Sequence, residues 1–400
     1  MYIYLLYSIH MLLKISKWLL AILITIITLV SLGLLFTGNG YILKAVRTVY
    51  LTGHTSAFLE DYKYFDNRKI EIGSTQPWAK SKDYNTIKST LILDSIHQNY
   101  GTIAYLIIKN DSIWFEKYYD GFDDKSLTNS FSMAKSITAV LLGKALELGY
   151  IISLDEKVKT YLPELQGEYA DELTIRDLAT MRSGLEWDEK YYSPFSITTK
   201  AYFYKDISKA MLELPIKDKP NQKFKYQSGD TQLLGMVLAK ALPISLSEFL
   251  SDHFWKPMGA EHEALWQISP QDGVEKTYCC IASNARDFAR FGKLYMQHGR
   301  WGDIQLLDSN YVKQSIQPAA SDSPNYGYSW WLGEYKGKKT ITMDGHLGQF
   351  VISIPEDNVI IVRLGHKHDK NGKISSEGNF YKYINEAYKM MLGYAETNKL

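Results

Sequence analysis

The side chains best suited to chemistry in this chain are a serine and a lysine three positions apart, Ser132 and Lys135. Residues at i and i+3 share a helix face, so the hydroxyl and the amine would be neighbours at the start of an amphipathic helix. A serine is a weak nucleophile until a base takes its proton, and a desolvated lysine can be that base. The free amides of a helix N-terminus would also stabilise an oxyanion, so the pair indicates acyl transfer.

A second pair, Tyr226 and Ser228, lies about 90 residues further on in the stretch FKYQSGDTQLLG. The stretch reads as extended up to Gly229 and as a helix beyond it, and residues two apart on an extended segment point to the same side. A tyrosine is a poor base unless a cation lowers its pKa, which Lys135 would do if the two groups meet. The alternative is a packing tyrosine in a chain that has 30 of them.

A third motif, the sequence DGHLGQ from Asp344 to Gln349, stands between two β-rich runs. The glycines around His346 permit close approach of the backbone. His346 could hold or polarise a substrate group there, and the backbone N–H that follows could face an oxyanion. The alternative is a hairpin turn in which the histidine is incidental.

Taken in order, the three motifs resemble the serine β-lactamase and penicillin-recognising hydrolase superfamily. Within it the likeness is to the class C-like branch, which includes esterases, D-aminopeptidases and 6-aminohexanoate-oligomer hydrolases. The resemblance covers roughly residues 100–395, and it extends to the stretches FSMAKS (131–136), LATMRSGL (178–185) and NARDFARFG (284–292).

The resemblance implies a role for each matching position. Ser132 would be the acylated nucleophile, Lys135 would help to activate it, and Tyr226 would deliver a proton to the leaving group. The backbone N–H groups of Ser132 and Gln349 would form the oxyanion hole. The substrate-binding residues would be Ser228, His346 and Gly348 of the second and third motifs. Trp187 is a further candidate, which rests on the aromatic character of its loop and not on the resemblance.

Two departures from the family pattern narrow the function. Dedicated class C β-lactamases resemble this chain but have asparagine where Ser228 stands and lysine where His346 stands. Those groups help to bind the β-lactam, so the chain is expected to cleave a general small-molecule ester or amide, or a peptide-like substrate, and not to be an efficient β-lactamase. The alternative is a non-hydrolytic penicillin-binding or sensor module on the same fold.

The sequence signals for other kinds of catalytic or metal site are weak. The chain has no Gly-x-Ser-x-Gly elbow, and His262-Glu263 lacks the second histidine of a zincin helix. The stretch GHKHD at 365–369 reads as a polar turn, so no metal and no cofactor are expected. Aromatic residues in the loops 186–201 and 326–331, Trp187 among them, suggest an apolar or sugar-like pocket wall.

The elements around the motifs predict an α+β fold of the β-lactamase/transpeptidase type. It would have one antiparallel sheet built from both ends of the domain, with helices on its faces and a helical subdomain at about 150–300. The motif helix would be capped by Asn129 or Ser130 and end at Gly149. Strands are predicted at 102–109, 112–119, 326–331, 340–343, 350–354 and 359–364, and further helices at 173–181, 231–241, 246–254, 285–295 and 379–392.

Composition limits the class of partner. With 46% hydrophobic residues, the 400-residue chain can bury a large core as one big domain or two smaller ones. Basic and acidic residues number 45 and 44, so nothing argues for a nucleic-acid partner. The two cysteines, Cys279 and Cys280, are adjacent, and adjacent cysteines rarely meet disulfide geometry. They are expected to be buried small residues.

The N-terminus predicts a membrane anchor. Residues 18–36 are apolar and uncharged, and as a helix they would be roughly 28 Å long, which matches a bilayer. Lys14 and Lys17 precede the run, so a single-pass helix in the cytoplasmic (inner) membrane would leave the catalytic domain outside. Secretion after signal-peptide cleavage is the alternative. The expected organisation is a segment 1–17, the anchor 18–36, a partly packed stalk 37–85 and a hydrolase domain 86–400.

Overall fold

The domain is organised around two β-sheets in the computed structural model, which describes residues 2–368 and 379–397. The strands are β1 (Asn67–Ile70), β2 (Ala79–Lys80), β3 (Thr102–Lys109), β4 (Ser112–Tyr118), β5 (Thr128–Asn129), β6 (Ala264–Gln267), β7 (Ile281–Ser283), β8 (Arg300–Trp301), β9 (Ile304–Gln305), β10 (Trp331–Tyr335), β11 (Lys338–Gly345), β12 (Gln349–Ile354) and β13 (Val359–Gly365). The helices are α1 (Tyr2–Phe36), α2 (Tyr41–Thr48), α3 (Leu91–Asn99), α4 (Met133–Glu147), α5 (Ile175–Ala179), α6 (Ile197–Phe203), α7 (Ile207–Leu212), α8 (Ser228–Ala241), α9 (Leu246–Leu250), α10 (Ala285–Met296), α11 (Ser309–Ser315) and α12 (Asn379–Thr397).

The central sheet has seven strands in the order β10-β11-β12-β13-β3-β4-β2. Strands from the two ends of the domain meet where β13 pairs antiparallel with β3, Val359 facing Lys109. Only β2, at the edge, runs parallel to its neighbour. The predicted antiparallel sheet built from both ends of the chain is therefore confirmed, as is the α+β class.

Helices cover both faces of the sheet, which is why its middle strands are continuous apolar runs. Side chains of β3 alternate between two cores, with Leu106 and Ile108 in one and Tyr105 and Ile107 in the other. The first core is shared with α4, α8 and α10, and the second with α3 and α12. The alternation fixes the register, because a slip by one residue would exchange the two faces.

Most predicted elements occur close to their predicted positions. The hairpin turn lies at Asn110 and Asp111, both with positive φ (49° and 59°), and Gly149 follows α4 with a φ of +75°. The strand predicted at 326–331 is wrong, because β10 begins only at Trp331 and Tyr326 makes an isolated bridge to it.

The predicted helix starts also need correction. Ser132 itself occupies the N-cap position of α4, and α8 begins at Ser228, so Gly229 lies inside a helix and Ser228 is not on an extended segment. The two predicted caps are engaged elsewhere. The Ser130 hydroxyl accepts from the N–H of Ile281, and the Asn129 amide donates to Asp61.

A smaller sheet with the order β1-β6-β7-β5 was not predicted from the sequence. Its edge strand β1 comes from the region expected to be a stalk, and β2 of the same region joins the central sheet. Residues between 41 and 80 thus take part in both sheets. The smaller sheet also includes β5, which directly precedes the Ser132 motif.

The N-terminal helix α1 starts at Tyr2, earlier than the predicted apolar segment 18–36, and it has no buried residues. It is long and apolar enough to cross a membrane, with a mean hydropathy of 2.8 over its best window. After the short segment 37–40 the chain enters α2, which packs on α6 of the domain.

The expectation for the cysteines is wrong in one respect. Cys279 and Cys280 are buried as expected, but the structure joins them in a disulfide between adjacent residues. A left-handed backbone at Cys280 (φ +79°) accompanies the bond, because ordinary extended or helical backbone points neighbouring side chains apart.

The contact between α8 and the segment before the cysteines gives a stability test. A Cβ on Gly235 would lie 2.2 Å from Oγ1 of Thr277, whose branched side chain cannot swing away. We expect Gly235→Ala to lower the free energy of unfolding by about 1–3 kcal/mol through overpacking. Gly393→Ala is the helical control, since among the described residues nothing outside its own helix backbone and chain neighbours lies within 4 Å of an added Cβ. Urea unfolding in detergent would measure both, and equal stabilities would contradict the expected packing.

Candidate active site

The backbone around Ser132 is held from both sides. Ser130 exchanges two hydrogen bonds with Ile281 of β7, its N–H donating to Ile281 O (2.7 Å) and its hydroxyl accepting from Ile281 N (3.1 Å). Phe131 then adopts a left-handed backbone with a φ of +45°, which is uncommon for a bulky residue. Strained backbone of this kind persists where the surroundings over-determine it, often next to reactive groups. The turn delivers Ser132 to the start of α4.

Lys135 lies one turn further along α4, with its amine among three oxygen atoms. Nζ is 2.9 Å from Oγ of Ser132, 3.0 Å from Oγ of Ser228 and 2.8 Å from the carbonyl oxygen of Tyr278. The side chain is buried, and burial lowers the pKa of Lys135 to about 8, an effect opposed by Glu189 and Asp344. An amine with that pKa is neutral in a useful fraction of molecules near neutral pH, and it can take the Ser132 proton.

Tyr226 reaches the same serine from the other side. Nζ of Lys135 lies 5.2 Å from the centroid of its ring, and the Ser132 side chain is among the groups that act on the Tyr226 pKa. Burial raises the pKa of Tyr226 well above 10, and Tyr191 and Tyr326 raise it further. The expectation that Lys135 would lower this pKa is therefore wrong, because the cost of burying a phenolate dominates. Tyr226 is a neutral phenol that can donate a proton or a hydrogen bond.

The third motif forms the turn between β11 and β12. Gly345 packs so closely on Ser130 that a Cβ would lie 2.3 Å from its carbonyl oxygen, which brings the turn next to Ser132. His346 lines the same cavity as Ser132. Burial lowers the pKa of His346 to about 4, and its Nε2 has no hydrogen-bond partner among the described residues. A neutral imidazole with a free ring nitrogen is suited to contact a substrate.

Gln349 fixes the shape of this turn. Its side-chain amide donates to the carbonyl oxygens of His346 (3.1 Å) and Gly365 (2.7 Å), and its side-chain oxygen accepts from Gly365 N (2.9 Å). The backbone of Gln349 therefore starts β12 at a defined place beside the Ser130–Gly345 contact. Its role in an oxyanion hole stays a prediction.

Two predicted substrate-binding residues lie behind the site. Gly348, with a φ of +79°, turns its carbonyl oxygen to Nη1 of Arg363 (2.8 Å). Trp187 is buried, and its indole N–H donates to Glu189 (2.6 Å). Neither is among the described residues that line the cavity at Ser132. The structure thus gathers Ser132, Lys135, Tyr226, Ser228 and His346, with Gly348 and Trp187 supporting them from outside.

Glu189 is the main site residue that the sequence did not indicate. One carboxylate oxygen accepts from the hydroxyls of Ser228 and Tyr191 (both 2.6 Å), and the other accepts from Ser228 N (2.7 Å) and the Trp187 indole. The carboxylate therefore orients Ser228, which in turn contacts Lys135. No sequence signal separated Glu189 from the other 43 acidic residues, because its partner Ser228 is 39 positions away.

The family-like stretch LATMRSGL (178–185) takes part in a buried hydrogen-bond network behind the second motif. The hydroxyl of Ser183 donates to Asp230 (2.5 Å), and the amide of Gln227 donates to both Asp230 (2.7 Å) and Ser183 (2.9 Å). Burial raises the pKa of Asp230 to about 7. The network holds the residue between Tyr226 and Ser228, so it sets the spacing of their side chains.

A cavity of about 60 Å³ opens beside Ser132, and its lining is mostly apolar. Phe131, Tyr202, Phe203 and Tyr278 are buried in its floor. The cavity is well below the roughly 150 Å³ that accommodates a benzene ring, so it suits a short uncharged group. Within the described ranges, no group of three or more His, Cys, Asp or Glu side chains is arranged to hold a metal ion.

Comparisons with known proteins agree with this geometry. Residues 89–377 match the family model described as Beta-lactamase. The 6-aminohexanoate-dimer hydrolase of Paenarthrobacter ureafaciens is 24% identical over 289 residues, which are 66% of this chain and 72% of that protein. Protein flp of Staphylococcus aureus (strain MW2) is 25% identical over 178 residues, which are 42% of this chain and only 35% of that protein.

A solved structure shows the same fold. It is provisionally named a 6-aminohexanoate-dimer hydrolase from Bacillus anthracis and superposes with a TM-score of 0.67 at 18% identity. The superposition covers 89% of this chain and 95% of that one.

The lowered pKa of Lys135 predicts how the reactivity of Ser132 depends on pH. Below about 8 the amine is protonated and cannot accept the serine proton, whereas above it the neutral amine can. We expect the rate of Ser132 modification by a fluorophosphonate to rise with pH through about 8 and then to level off. A rate that is constant between pH 6 and 10 would contradict the assignment of Lys135 as the base.

The position of Glu189 beside Lys135 predicts that removing its charge shifts the pH dependence of Ser132 labelling. Its negative charge raises the pKa of Lys135, so Glu189→Gln is expected to move the midpoint of fluorophosphonate labelling to lower pH. The maximal rate is expected to fall about tenfold, because an amide cannot accept all four hydrogen bonds. Glu186→Gln is the control, because Glu186 lies on the same loop as Glu189 but is exposed and forms an ion pair with Lys217. Equal midpoints in the two variants would rule out this role.

Proposed function

The chain belongs to the beta-lactamase family, and from that premise we propose that it is a membrane-anchored serine hydrolase that cleaves a small ester or amide through an acyl-enzyme on Ser132. The observation that carries the proposal is the buried amine of Lys135, 2.9 Å from the Ser132 hydroxyl and with a pKa lowered to about 8. The relatives named as hydrolases are consistent with it.

In the acylation step, Ser132 Oγ attacks the carbonyl carbon of the substrate while its proton moves to Lys135 Nζ. The backbone N–H groups of Ser132 and Gln349 would stabilise the resulting oxyanion. When the bond to the leaving oxygen or nitrogen breaks, Tyr226 donates a proton to that atom and is reprotonated from Lys135. Water then attacks the acyl-enzyme, releases the carboxylic acid and restores the Ser132 hydroxyl.

The substrate range follows from the cavity and from the two substituted motif positions. A cavity of about 60 Å³ favours a short acyl group such as acetyl or butyryl. Ser228 is occupied by Glu189 and Lys135, and neutral His346 offers no positive charge to a carboxylate. A β-lactam, which presents an amide and a carboxylate, would find neither of the groups that hold it in dedicated β-lactamases.

The membrane part of the proposal is supported by α1, which is apolar, uncovered and long enough to span a bilayer. Lys14 and Lys17 lie toward its N-terminal half, so the hydrolase domain would lie on the outer side of the cytoplasmic membrane. A fusion of a periplasmic reporter enzyme to the C-terminus would be active in that orientation and inactive in the reverse one.

Hydrolysis of p-nitrophenyl acetate and butyrate tests the catalytic proposal. We expect Ser132→Ala and Lys135→Met to lower kcat/KM by about 10³-fold or more, because both groups act on the same proton transfer. Lys144→Met is the matched control on the same helix, where the lysine is paired with Glu147 away from the cavity. A chromogenic cephalosporin is expected to be turned over far more slowly than the esters.

Equal ester hydrolysis by the wild type and Ser132→Ala would refute the proposal. Stoichiometric labelling of Ser132 by a fluorophosphonate or penicillin probe, without any turnover, would instead identify a penicillin-binding or sensor module.

A further inference from the structure

The rim of the cavity at Ser132 is formed partly by the segment that follows the apolar helix. Phe131, Tyr202 and Tyr278 are buried in the floor, whereas Ser56, Ala57 and Tyr191 are half-buried at the rim. Ser56 and Ala57 lie about 20 residues beyond the end of α1. The membrane-proximal segment is therefore a wall of the site and not merely a tether.

That segment is fixed to the residues that position the nucleophile. Asn129, three residues before Ser132, donates its N–H to Leu59 O (2.7 Å) and its side-chain amide to Asp61 (2.9 Å). The hydroxyl of Tyr202, in the cavity floor, also donates to Asp61 (2.7 Å). Asp61 is fully buried, so these bonds are shielded from water and hold the rim to the floor.

Large apolar side chains are exposed on the same two segments that make the rim. Leu51 is 76% exposed and Tyr50 48%, just after α2, while Phe195 is 73% exposed and Tyr192 62%, just before α6. The helices α2 and α6 pack on each other, which brings the two segments to neighbouring parts of the domain. Exposed apolar residues that cluster beside a polar rim mark an interaction surface.

The chain itself indicates what covers this surface. Only residues 37–40 separate α1 from α2, and such a stretch cannot span more than about 20 Å. The turn is tight, since Asn39 N–H donates to Leu34 O (2.8 Å). Tyr50 and Leu51 follow at the other end of the eight-residue helix α2, which adds only about 12 Å to the distance from the place where α1 would leave a bilayer. Tyrosines and an exposed arginine, Arg47, are side chains that suit a headgroup region.

We propose that the apolar surface made by Tyr50, Leu51, Tyr192 and Phe195 rests on the bilayer, so that the enzyme takes its substrate from the membrane surface. The substrate class is an amphiphile whose leaving group stays in the bilayer and whose short, uncharged acyl group enters the cavity at Ser132. This inference rests on the proposed function, because it assigns a substrate class to the same serine.

A matched pair of substrates separates the proposed hydrolysis at Ser132 from the proposed docking of the apolar surface on the bilayer. One is p-nitrophenyl acetate, which is dissolved in water, and the other is an acetyl nitrophenyl ester that bears a hexadecyl chain and is dissolved in phosphatidylcholine vesicles. Both present the same acetyl group and the same type of leaving group. The full-length protein is reconstituted in those vesicles, and the release of nitrophenolate is followed for each substrate.

We expect the double variant Leu51→Asp/Phe195→Asp to hydrolyse the vesicle-bound ester about tenfold more slowly than the wild type, with an unchanged rate on p-nitrophenyl acetate. The control is Leu91→Asp/Ile152→Asp, which places the same charges on two exposed apolar residues outside the rim segments (88% and 79% exposed). It is expected to match the wild type on both esters.

Several outcomes would overturn the inference while leaving the proposed function intact. One is a wild type that cleaves only the soluble ester, and another is a double variant that cleaves the vesicle-bound ester at the wild-type rate. A third is a dimer that forms in the wild type and is lost in the double variant, because the apolar surface would then bind a second copy of the chain. Parallel loss of both activities in the double variant would show a damaged fold or site and would also refute selective membrane docking. If the wild type cleaves neither ester, the proposed function fails first.

Discussion

A buried lysine amine surrounded by three oxygen atoms is the constraint on which the rest of the site depends. Burying an ammonium group is costly, and the structure responds by lowering the pKa of Lys135 to about 8 and by supplying Ser132, Ser228 and the Tyr278 carbonyl as partners. Each partner comes from a different part of the chain. The amine can therefore be buried and usable only when α4, α8 and the segment before β7 are all in place.

Two acidic side chains near that amine oppose the effect of burial on its pKa. Burial lowers the pKa of Lys135, while Glu189 and Asp344 raise it, and burial raises the pKa of Asp344 to about 8. Without the acidic groups the amine would be neutral over a wider pH range, and without burial its pKa would not be lowered, so it would be protonated at neutral pH. Burial shifts the pKa of Tyr226 in the opposite direction, because the charged form of a tyrosine is the anion. Tyr226 therefore stays a neutral phenol. The same low-polarity environment thus lowers the pKa of Lys135 and raises the pKa of Tyr226.

The second structural theme is the attachment of the N-terminal region to the site. Strand β1 joins the sheet that contains β5, and Asp61 is bonded to Asn129 beside the nucleophile. A change in this region would alter the cavity rim through Ser56 and Ala57 and the cavity floor through Tyr202. The segment that follows α1 and the Ser132 motif are for this reason parts of one packed unit.

The sequence by itself determined the elements whose signals are local. The hairpin of β3 and β4, the helix of Ser132 and Lys135 and the strands β11–β13 follow from periodicity and from turn residues such as Asn110, Asp111 and Gly149. These elements depend on neighbours a few residues apart, so a single chain records them. The order of the three motifs along the chain also indicated the family, and the strands at both ends of the domain indicated the central sheet.

Only the tertiary structure decided the features that depend on contacts between distant residues. Glu189 could not be distinguished until Ser228, 39 positions away, was seen to bind it. The direction of the Tyr226 pKa and the bonding of Cys279 to Cys280 depend on burial and backbone geometry that composition does not encode. The sheet of β1, β5, β6 and β7 is assembled from short strands spread over more than 200 residues, too short to show a period. Ser132 and Lys135 could be named from their spacing, but the burial that lowers the pKa of the lysine belongs to the folded protein.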